Sequence, residues 1–565
     1  MRQISKPWLQ HYPAEVAHDI VQDPKQTLTG VLNQAVTRFA KQPALEFMGK
    51  TLTYAELDRY ANYVAAWLQA SGLPKGSRVA LMLPNGFPYM LSLLAVLRSG
   101  MVVVNVNPQY TERELEYQLQ DSGAVAIFIM ENFAHVLAQV PKQIQPKHVV
   151  ITRLGDLMGL KGGVLNLAVR YLKRMVPAYD LPHSLYFSQV VKLGSALPCQ
   201  THQAQADDLA VLQYTGGTTG RPKGAMLSQR NLLANVLQIE EFAKPALGNV
   251  REQAYVMFAA LPLYHVFALT VCGLFGLVAG MRIVLVMNPR DLSSVSKAWA
   301  DCPPHIVPGV NTLFNALANT PAFQGLPFSQ LRLCLAGGAA LQSKVAAHWL
   351  TLTGSALIEG YGLTETSPVV AVNTADSIEF SGTIGFPLPS TDVVLINDQD
   401  QAVDWGEQGE LAVKGPQVMS AYWQQDAETQ KSFTTDGYFK TGDIGVMDEL
   451  GRIRIVDRKK DMILVSGFNV YPNEVEEVLV SHPGVLEAAV VGVPDEQLGE
   501  LIQAYVVLRD SSVSEDDLRQ WCRERLTAYK RPRQYQFRTE LPKSNVGKIL
   551  RRVLRDELNT PTVKE

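Results

Sequence analysis

The chain has 565 residues, of which 51 are Lys or Arg and 54 are Asp or Glu, so its formal net charge is −3. This near-balance argues against a nucleic-acid binder, whose phosphate contacts need a basic surplus. Apolar residues make up 47% of the chain, which excludes global disorder and suffices for the cores of about three or four folding units.

The N-terminal residues and the cysteine content indicate in which cellular compartment the protein is expected. The first residues, MRQISKPWLQHYP, lack the apolar stretch of a signal peptide, and the five cysteines lie far apart with no CxxC pair. A sparse, odd set of cysteines is typical of a reducing compartment and predicts no metal framework. We therefore expect a cytoplasmic protein.

The pattern along the chain predicts an α/β protein. Residues 28–150 alternate helical patterns with short apolar strands such as Arg78–Met82, and the alternation returns from about 209 to 358. Such alternation predicts parallel sheets covered by helices. From residue 382 short strands and turns predict a small β-barrel or sheet. After Asp457 the pattern indicates a compact α+β unit, so we place the main domain boundary at the charged run 457–461.

One apolar stretch imitates a membrane span. Residues 253–281 carry no formal charge and contain a GxxxG pattern. Pro262 and His265 lie inside it, leaving 266–281 as the purely helical candidate. Such a helix is about 24 Å long, short of the ~30 Å hydrocarbon core. We therefore expect a buried helix that leads into a strand, and no transmembrane segment.

The most informative segment is a glycine-rich loop at 214–225, YTGGTTGRPKGA, between an apolar strand and a helix that Ser228 can cap. Such a loop offers backbone N–H groups, hydroxyls and one lysine to an anion, which are the elements of a phosphate cradle. A plain glycine turn is the alternative, but three threonines beside four glycines and Lys223 argue against it. No GxxxxGK[ST] occurs in the chain, which disfavours a P-loop ATPase or kinase.

This loop resembles the phosphate-binding motif of the adenylate-forming superfamily, which includes acyl-CoA synthetases, luciferases and peptide-synthetase adenylation domains. Five further segments resemble that family's motifs in the expected order: LPLYH at 261–265, EGYGLTE at 359–365, DGYFKTGD at 436–443, DRKK at 457–460 and PKSNVGK at 542–548. The resemblance implies an enzyme that joins a carboxylate to the AMP part of ATP with release of pyrophosphate, and then passes the acyl group from this acyl-adenylate to a thiol.

The resemblance also implies a domain organisation. A large N-terminal domain of two layered α/β subdomains plus a small β-barrel would span residues 1–457. A hinge would follow at 458–462, and a small α+β C-terminal domain at 463–565 would rotate about it, with Lys460 as the pivot. Because one site has to serve two reactions, rotation would withdraw the C-terminal lysine after the first. Three residues would then line the tunnel for CoA, the expected co-substrate: Ser466, Gly467 and Phe468.

Most of the motif residues are expected to contact the nucleotide. The expected ATP- and AMP-binding residues are Thr215, Gly216, Gly217, Thr218, Thr219, Gly220, Lys223, Gly337, Gly338, Gly360, Tyr361, Gly362, Thr364, Asp443 and Arg458. Among these, Tyr361 would stack on adenine, and the two carboxylate oxygens of Asp443 match a ribose diol. Glu365 supplies a hard oxygen suited to Mg²⁺ that accompanies ATP.

Four residues are expected to take part in catalysis: Lys548, His265, Thr364 and Glu365. A lysine is a compact point charge that can meet negative charge gathering between the carboxylate and the α-phosphate. Base rates alone would make Lys548 a solvated loop lysine and His265 a core histidine. The resemblance reverses both readings, and it gives His265 a role in organising the substrate rather than the role of a base.

The acid is expected to be a fatty acid, because the candidate pocket segments 308–317 and 335–340 are apolar. In this respect the chain looks most like bacterial long-chain fatty acid–CoA ligases. The expected acyl pocket consists of Tyr264, Leu269, Gly309, Val310, Gly338 and Leu363. Some relatives carry a gating tryptophan where this chain has Leu269, which leaves the chain-length preference open.

Two other functions stay open: a ligase of the same superfamily that uses an aryl or other acid or a carrier-protein acceptor, and a non-catalytic nucleotide or acyl binder. The expected partners are fatty acid, ATP and CoA, with no nucleic acid, and a homodimer is left open. Residues 160–179 combine apolar side chains with Arg170, Lys173 and Arg174 and no acidic residue. This pattern suits peripheral contact with the inner leaflet and an ordinary surface helix equally well.

Overall fold

The computed structural model describes residues 6–215, 222–466, 468–495, 498–544 and 547–559. Its strands, numbered β1 to β25 in chain order, are Pro43–Phe47, Lys50–Thr53, Arg78–Met82, Val102–Asn105, Ala126–Met130, His148–Thr152, Leu185–Tyr186, Leu209–Thr215, Lys223–Ser228, Val256–Ala259, Arg282–Leu285, Ile306–Gly309, Leu333–Ala336, Leu357–Gly362, Val369–Val372, Phe386–Pro387, Asp392–Ile396, Gln408–Lys414, Phe439–Met447, Ile453–Arg458, Ile463–Val465, Phe468–Val470, Val485–Asp495, Gly499–Leu508 and Gln534–Arg538.

The α-helices, numbered α1 to α19 in chain order, are Leu28–Arg38, Tyr54–Ala70, Phe87–Arg98, Glu112–Ser122, Ala134–Gln139, Gly159–Leu167, Phe187–Gly194, Gln229–Phe242, Lys244–Leu247, Val266–Ala268, Phe275–Val278, Leu292–Asp301, Asn311–Ala318, Pro321–Gln324, Ser343–Thr353, Asp426–Ser432, Pro472–Val480, Glu515–Arg525 and Arg551–Asn559. Two π-helical turns, Ala168–Leu172 and Leu269–Leu274, continue α6 and α10.

Two large sheets form the first part of the chain. The seven-stranded sheet has the order β7-β6-β5-β3-β4-β8-β9 and is parallel except for the β8–β9 pair. The nine-stranded sheet has the order β16-β15-β14-β13-β12-β10-β11-β1-β2 and is parallel from β14 to β1. The expected pair of layered α/β subdomains is confirmed. Parallel strands need crossover helices on both faces, which explains the alternating sequence pattern.

One core joins the two sheets. Along β3, Val79 and Leu81 belong to the core cluster shared with the nine-stranded sheet, whereas Ala80 and Met82 face a second cluster. Successive side chains of a strand point to opposite faces, so both faces of this strand are buried. Helix α3 is buried along its whole length, including Arg98, whose guanidinium pairs with the carboxylate of Asp58 at 2.7 Å.

The uncharged stretch that imitated a membrane span lies in this core. Helix α10, the π-helical turn and α11 are buried, and they lead into β11 as expected. Tyr54 from α2 donates a hydrogen bond at 2.8 Å to the carbonyl of Met281 at the end of this stretch. Within the described ranges, no helix has the length and apolar character needed to cross a bilayer.

The third sheet differs from the expected barrel. Strands β17, β18, β19 and β20 form an antiparallel sheet in that order, and its outer strands β17 and β20 do not pair with each other within the described part of the chain. It is therefore an open four-stranded sheet. The short strands and turns were a correct signal for antiparallel structure, but closure depends on pairing between distant strands, which the local pattern does not encode.

The C-terminal unit is a separate α+β layer. Strands β21 to β25 form one sheet, with β25 parallel to β24. Helices α17 and α18 pack on this sheet through Val475, Leu479, Leu518 and Cys522, and Ser514 caps α18. The chain then returns to the N-terminal part, because the segment before α19 reaches the carboxyl ends of the nine-stranded sheet.

Candidate active site

A cavity of about 530 Å³ lies at the carboxyl ends of β13 and β14, beside the ends of β8 and β20. Ligands of open α/β sheets bind at this end of the strands. The predicted site residues that line this one cavity are Thr215, Lys223, His265, Gly337, Gly338, Gly360, Tyr361, Gly362, Leu363, Thr364, Glu365, Arg458, Lys460 and Lys548. Residues separated by more than 300 positions in the chain thus form a single site.

The phosphate loop connects two antiparallel strands, with Thr215 at the end of β8 opposite Lys223 at the start of β9. Lys223 Nζ lies 2.5 Å from a carboxylate oxygen of Glu428 and 5.1 Å from the ring centroid of Tyr422. The ammonium lowers the pKa of Glu428. The remaining predicted loop residues, Gly216, Gly217, Thr218, Thr219 and Gly220, lie outside the described residues.

Glu365 presents a carboxylate to the cavity from the short 3₁₀ helix that follows β14. Tyr422 donates a hydrogen bond at 2.7 Å to its Oε1. Burial raises the pKa of Glu365, and the Tyr422 hydroxyl and the nearby cations oppose that rise. A hard oxygen donor held beside phosphate-binding groups fits a Mg²⁺ ion that arrives with ATP. The described residues contain no cluster of three or more His, Cys, Asp or Glu arranged to hold a metal.

Asp443 lies behind the cavity wall, where strand register sets its partners. It stands opposite Arg458 in the β19–β20 pair, and Arg458 Nε lies 3.1 Å from Asp443 Oδ1. The other oxygen, Oδ2, accepts a hydrogen bond at 2.5 Å from the hydroxyl of Tyr361. Burial, followed by the Asp443 carboxylate, raises the pKa of Tyr361. Tyr361 is thus held by its hydroxyl, and its predicted stacking on adenine stays a prediction.

Lys548 enters the cavity from the C-terminal loop. Its backbone N–H donates a hydrogen bond at 3.1 Å to Ser544 Oγ, and the carbonyl of the preceding Gly547 accepts one at 3.2 Å from Thr312 Oγ1. The side chain passes over Gly338, where an added Cβ would lie 3.2 Å from Lys548 Cε. Gly338 has a φ of +80°, a conformation that favours glycine. Burial, followed by repulsion from Arg458, lowers the pKa of Lys548 to about 8.

His265 is the N-cap of α10 and faces the same cavity. Its Nδ1 accepts a hydrogen bond at 3.4 Å from the backbone N–H of Phe267. Burial, followed by the Lys548 ammonium, lowers the pKa of His265 to about 3. The imidazole is therefore neutral at physiological pH, and its Nε2 is available as a hydrogen-bond donor.

Sequence comparison identifies the family. A sequence model of the AMP-binding enzymes matches residues 32–423, and the model of the AMP-binding enzyme C-terminal domain matches residues 474–548. The chain belongs to the AMP-binding enzyme family. Two curated relatives are long-chain-fatty-acid–CoA ligases: that of Salmonella typhimurium is 51% identical over 98% of each chain, and that of Bacillus subtilis is 38% identical over 98% of each chain.

Solved structures of similar proteins are adenylate-forming enzymes. The anthranilate CoA ligase AuaEII, solved with anthranoyl-AMP, superposes with a TM-score of 0.84 at 25% identity and covers 95% of this chain and 98% of its own. ATP-bound MatB from Rhodopseudomonas palustris superposes with a TM-score of 0.78 at 29% identity and covers 94% of this chain and 99% of its own.

The predicted hinge motif of this AMP-binding enzyme, residues 457–460, carries a buried ionic cluster that the sequence did not predict. Lys460 lines the cavity, and burial lowers its pKa to about 8. Asp457, three residues earlier, is fully buried and accepts a hydrogen bond at 2.8 Å from the backbone N–H of Asn473. Arg551, three residues after Lys548, lies 3.3 Å from Asp457 and 2.6 Å from Glu476. These contacts connect the start of α19, just after the lysine loop, to the end of β20, where the motif begins.

The apolar wall of the cavity differs from the predicted acyl pocket. Of the predicted residues, Gly338 and Leu363 line the cavity, whereas Tyr264, Leu269, Gly309 and Val310 are not among its lining residues. Leu269 is fully buried in the core, and Val310 packs near Gly547 under the lysine loop. The wall is formed instead by apolar residues from several elements, including Ile239, Phe242, Ala243, Val266, Val271, Val369, Val372 and Leu388. The spacing of residues 239 and 242 in the last turn of α8, and of 243 at its C-cap, was the available signal.

Of the residues predicted to contact CoA, Ser466 directly follows β21 and Phe468 is the first residue of β22. Ser466 has a φ of +50°, Phe468 is exposed and stacks on Tyr529 with ring centroids 4.8 Å apart, and Gly467 lies outside the described residues. Neither Ser466 nor Phe468 lines the cavity, so the contact of this segment with CoA stays a prediction. It is tied to the proposed domain rotation.

Proposed function

We propose that the protein is an ATP-dependent long-chain fatty acid–CoA ligase. A carboxylate oxygen of the acid attacks the α-phosphorus of ATP, and pyrophosphate leaves. The thiol of CoA then attacks the acyl carbon of the adenylate, so that the C–S bond forms, AMP leaves and the thiol proton is released. The single observation that carries the proposal is one cavity in which Lys548, Glu365 and Lys223 stand beside an apolar wall.

In the first half-reaction these residues act by position and charge. Lys223 and Thr215 would hold the β- and γ-phosphates, and Asp443 with Arg458 would bind the ribose. The Lys548 ammonium would lie between the carboxylate and the α-phosphate, where negative charge gathers during in-line displacement. Neutral His265 would donate a hydrogen bond that orients the reacting carboxyl, and Thr364 would contact the phosphates next to Glu365.

We propose Mg²⁺ as the ion that accompanies ATP, with Glu365 as its protein ligand. The Tyr422 hydroxyl occupies one carboxylate oxygen at 2.7 Å. We propose the other carboxylate oxygen of Glu365 as the ligand for Mg²⁺. The bound ion would neutralise phosphate charge as pyrophosphate leaves. Dependence on ATP and CoA agrees with a cytoplasmic location, which we also propose.

The second half-reaction is proposed to follow rotation of residues 463–565 about a hinge at 458–462. Lys460→Pro would restrict the φ of the pivot. We expect this variant to keep acid-dependent pyrophosphate release and to lose thioester formation from supplied acyl-adenylate. Equal loss of both half-reactions would argue against the hinge.

An aryl acid is the second candidate substrate. A feruloyl-CoA synthase from an Amycolatopsis species is 36% identical over 90% of this chain and 94% of its own. The fatty-acid alternative has the stronger support, because the relatives at 46–51% identity are long-chain-fatty-acid–CoA ligases and the apolar side chains of the cavity wall are mostly aliphatic.

The test is acid-dependent pyrophosphate release with Mg·ATP across acetate, octanoate, palmitate, oleate, benzoate and ferulate, each with and without CoA. We expect release to peak with palmitate or oleate, accompanied by AMP and the CoA thioester. A peak with benzoate or ferulate would select the aryl alternative, and adenylate that is not passed to CoA would indicate a carrier-protein acceptor. No acid-dependent release from folded protein would leave the non-catalytic binder as the explanation.

A further inference from the structure

The segment formed by residues 159–175 turns its large apolar side chains outward. It comprises α6, the π-helical turn Ala168–Leu172 and the three residues after it. Its side chains Leu160, Val164, Leu167, Tyr171, Leu172 and Met175 are exposed by 94%, 69%, 60%, 69%, 81% and 53%. They are six of the twenty large apolar side chains that are exposed within the described residues. Such a concentration of exposed apolar surface marks an interaction site.

The outward direction follows from how the segment is attached. Positions 160, 164, 167 and 171 repeat every three or four residues, so they form one stripe along the helix. The side of the helix that faces the protein has a small residue at its closest contact. There Gly162 packs on Gly155 so closely that a Cβ on Gly162 would lie 2.0 Å from the Gly155 carbonyl oxygen. Val169 is the other buried residue of this helix. The apolar stripe therefore has no role in the core of the protein.

The charges of the segment identify its partner. Lys161, Lys173 and Arg174 are exposed, and no ion pair joins them to an acidic residue within the described ranges. Arg170 differs, because its guanidinium pairs with Glu131 at 2.6 Å and fixes the segment to the protein. No acidic residue occurs between positions 157 and 179. A symmetric contact between two copies of the chain would place like charges opposite each other, whereas an anionic lipid surface meets both the apolar stripe and the cations.

We propose that the 159–175 segment is a membrane-docking element that lies in the plane of an anionic bilayer surface. Its apolar stripe would enter the boundary between headgroups and acyl chains, with Lys161, Lys173 and Arg174 at the level of the lipid phosphates. The element places the protein where long-chain acids partition. Flotation on vesicles needs no turnover, so its outcome is independent of the ligase assay.

The experiment is flotation of the full chain with vesicles of phosphatidylcholine alone or with 30% phosphatidylglycerol, at low and high salt. We expect binding to the anionic vesicles, weakened by salt. Lys173→Gln with Arg174→Gln removes two charges and is expected to lower the partition coefficient about thirtyfold. Leu160→Ser with Leu172→Ser removes two apolar contacts and is expected to lower it about a hundredfold.

Matched controls test position rather than composition. Val21→Ser with Ile378→Ser changes two side chains that are exposed by 93% and 69% elsewhere on the protein, and this variant is expected to bind as the unchanged chain does. All substitutions lie at exposed positions, so the thermal unfolding midpoint is expected to stay the same. Three results would overturn the proposal: no binding to anionic vesicles, equal binding by all variants, or a dimer that Leu160→Ser with Leu172→Ser dissociates without any change in vesicle binding.

Discussion

The protonation of Lys548 gives a quantitative test of the site. Burial and the Arg458 guanidinium lower its pKa to about 8 in the nucleotide-free structure, so the ammonium is less favoured than that of a free lysine before ATP arrives. The phosphates of ATP bring negative charge to the same cavity and favour the ammonium again. Binding of ATP in the absence of acid substrate should therefore take up a proton, and linkage requires the affinity for ATP to fall as the pH rises through the range above 8.

The expected magnitude follows from the two pKa values. With a pKa of about 8, roughly a quarter of the lysine is charged at pH 8.5, and a return to the ordinary value near 10.4 charges nearly all of it. The uptake is then about 0.7 proton at pH 8.5 and about 0.1 at pH 7. Over the interval from pH 7.5 to pH 9.5 the affinity is expected to fall about twentyfold.

Calorimetry of ATP binding in buffers of different ionisation enthalpy measures the uptake directly. Lys548→Met removes the titrating group while keeping an unbranched side chain, so it should abolish most of the uptake. Lys460 shares the cavity and has a pKa of about 8 as well, so Lys460→Met measured in parallel separates the two contributions. Equal uptake by the unchanged protein and Lys548→Met would refute the reasoning.

Three further predictions follow from contacts in the site. Glu428→Gln removes a half-exposed partner of Lys223. Because such ion pairs are worth about 0–1 kcal/mol, the KM for ATP is expected to fall by up to about fivefold. A KM raised tenfold in steady-state assays would contradict this. Asp457→Asn removes a buried partner of Arg551 across the proposed hinge, so pyrophosphate release is expected to fall about tenfold or more, while thioester formation from supplied acyl-adenylate changes little. Gly338→Ala adds a methyl group at a φ of +80° beside Lys548, the proposed catalytic lysine. This variant is expected to slow adenylation about tenfold and to lower the thermal unfolding midpoint. Unchanged adenylation kinetics would show that the close approach is not required.

Local patterns predicted local structure well. Strand β3 has the expected bounds, α8 begins at the predicted residue after the Ser228 cap, and the uncharged stretch before β11 is buried rather than membrane-spanning. These features depend on neighbours within one turn or one strand, so composition, spacing and caps suffice. The prediction of a β-barrel was wrong, because closing a sheet into a barrel requires pairing between distant strands.

Residue types in the sequence were sufficient to predict the polar part of the site, but they did not predict its apolar wall. Lys548, Glu365 and Lys223 stand in motifs whose spacing is recognisable, and the structure brings them to one cavity. Aliphatic residues look alike whether they line a cavity or fill a core. For this reason the sequence did not separate the two cases: Leu269, which was predicted to line the pocket, is in the core, whereas Phe242 at the end of α8 lines the cavity.

The sequence by itself determined the family, the α/β class and the polar residues of the site, because each of these depends on residue type and short spacing. Only the tertiary structure decided which apolar residues face the cavity, that Asp457 and Arg551 meet beside the proposed hinge, and that Lys548 is buried beside Gly338. These contacts join residues 94 or more positions apart. Their formation depends on how sheets and loops pack, and the pKa of Lys548 follows from that burial rather than from the residue itself.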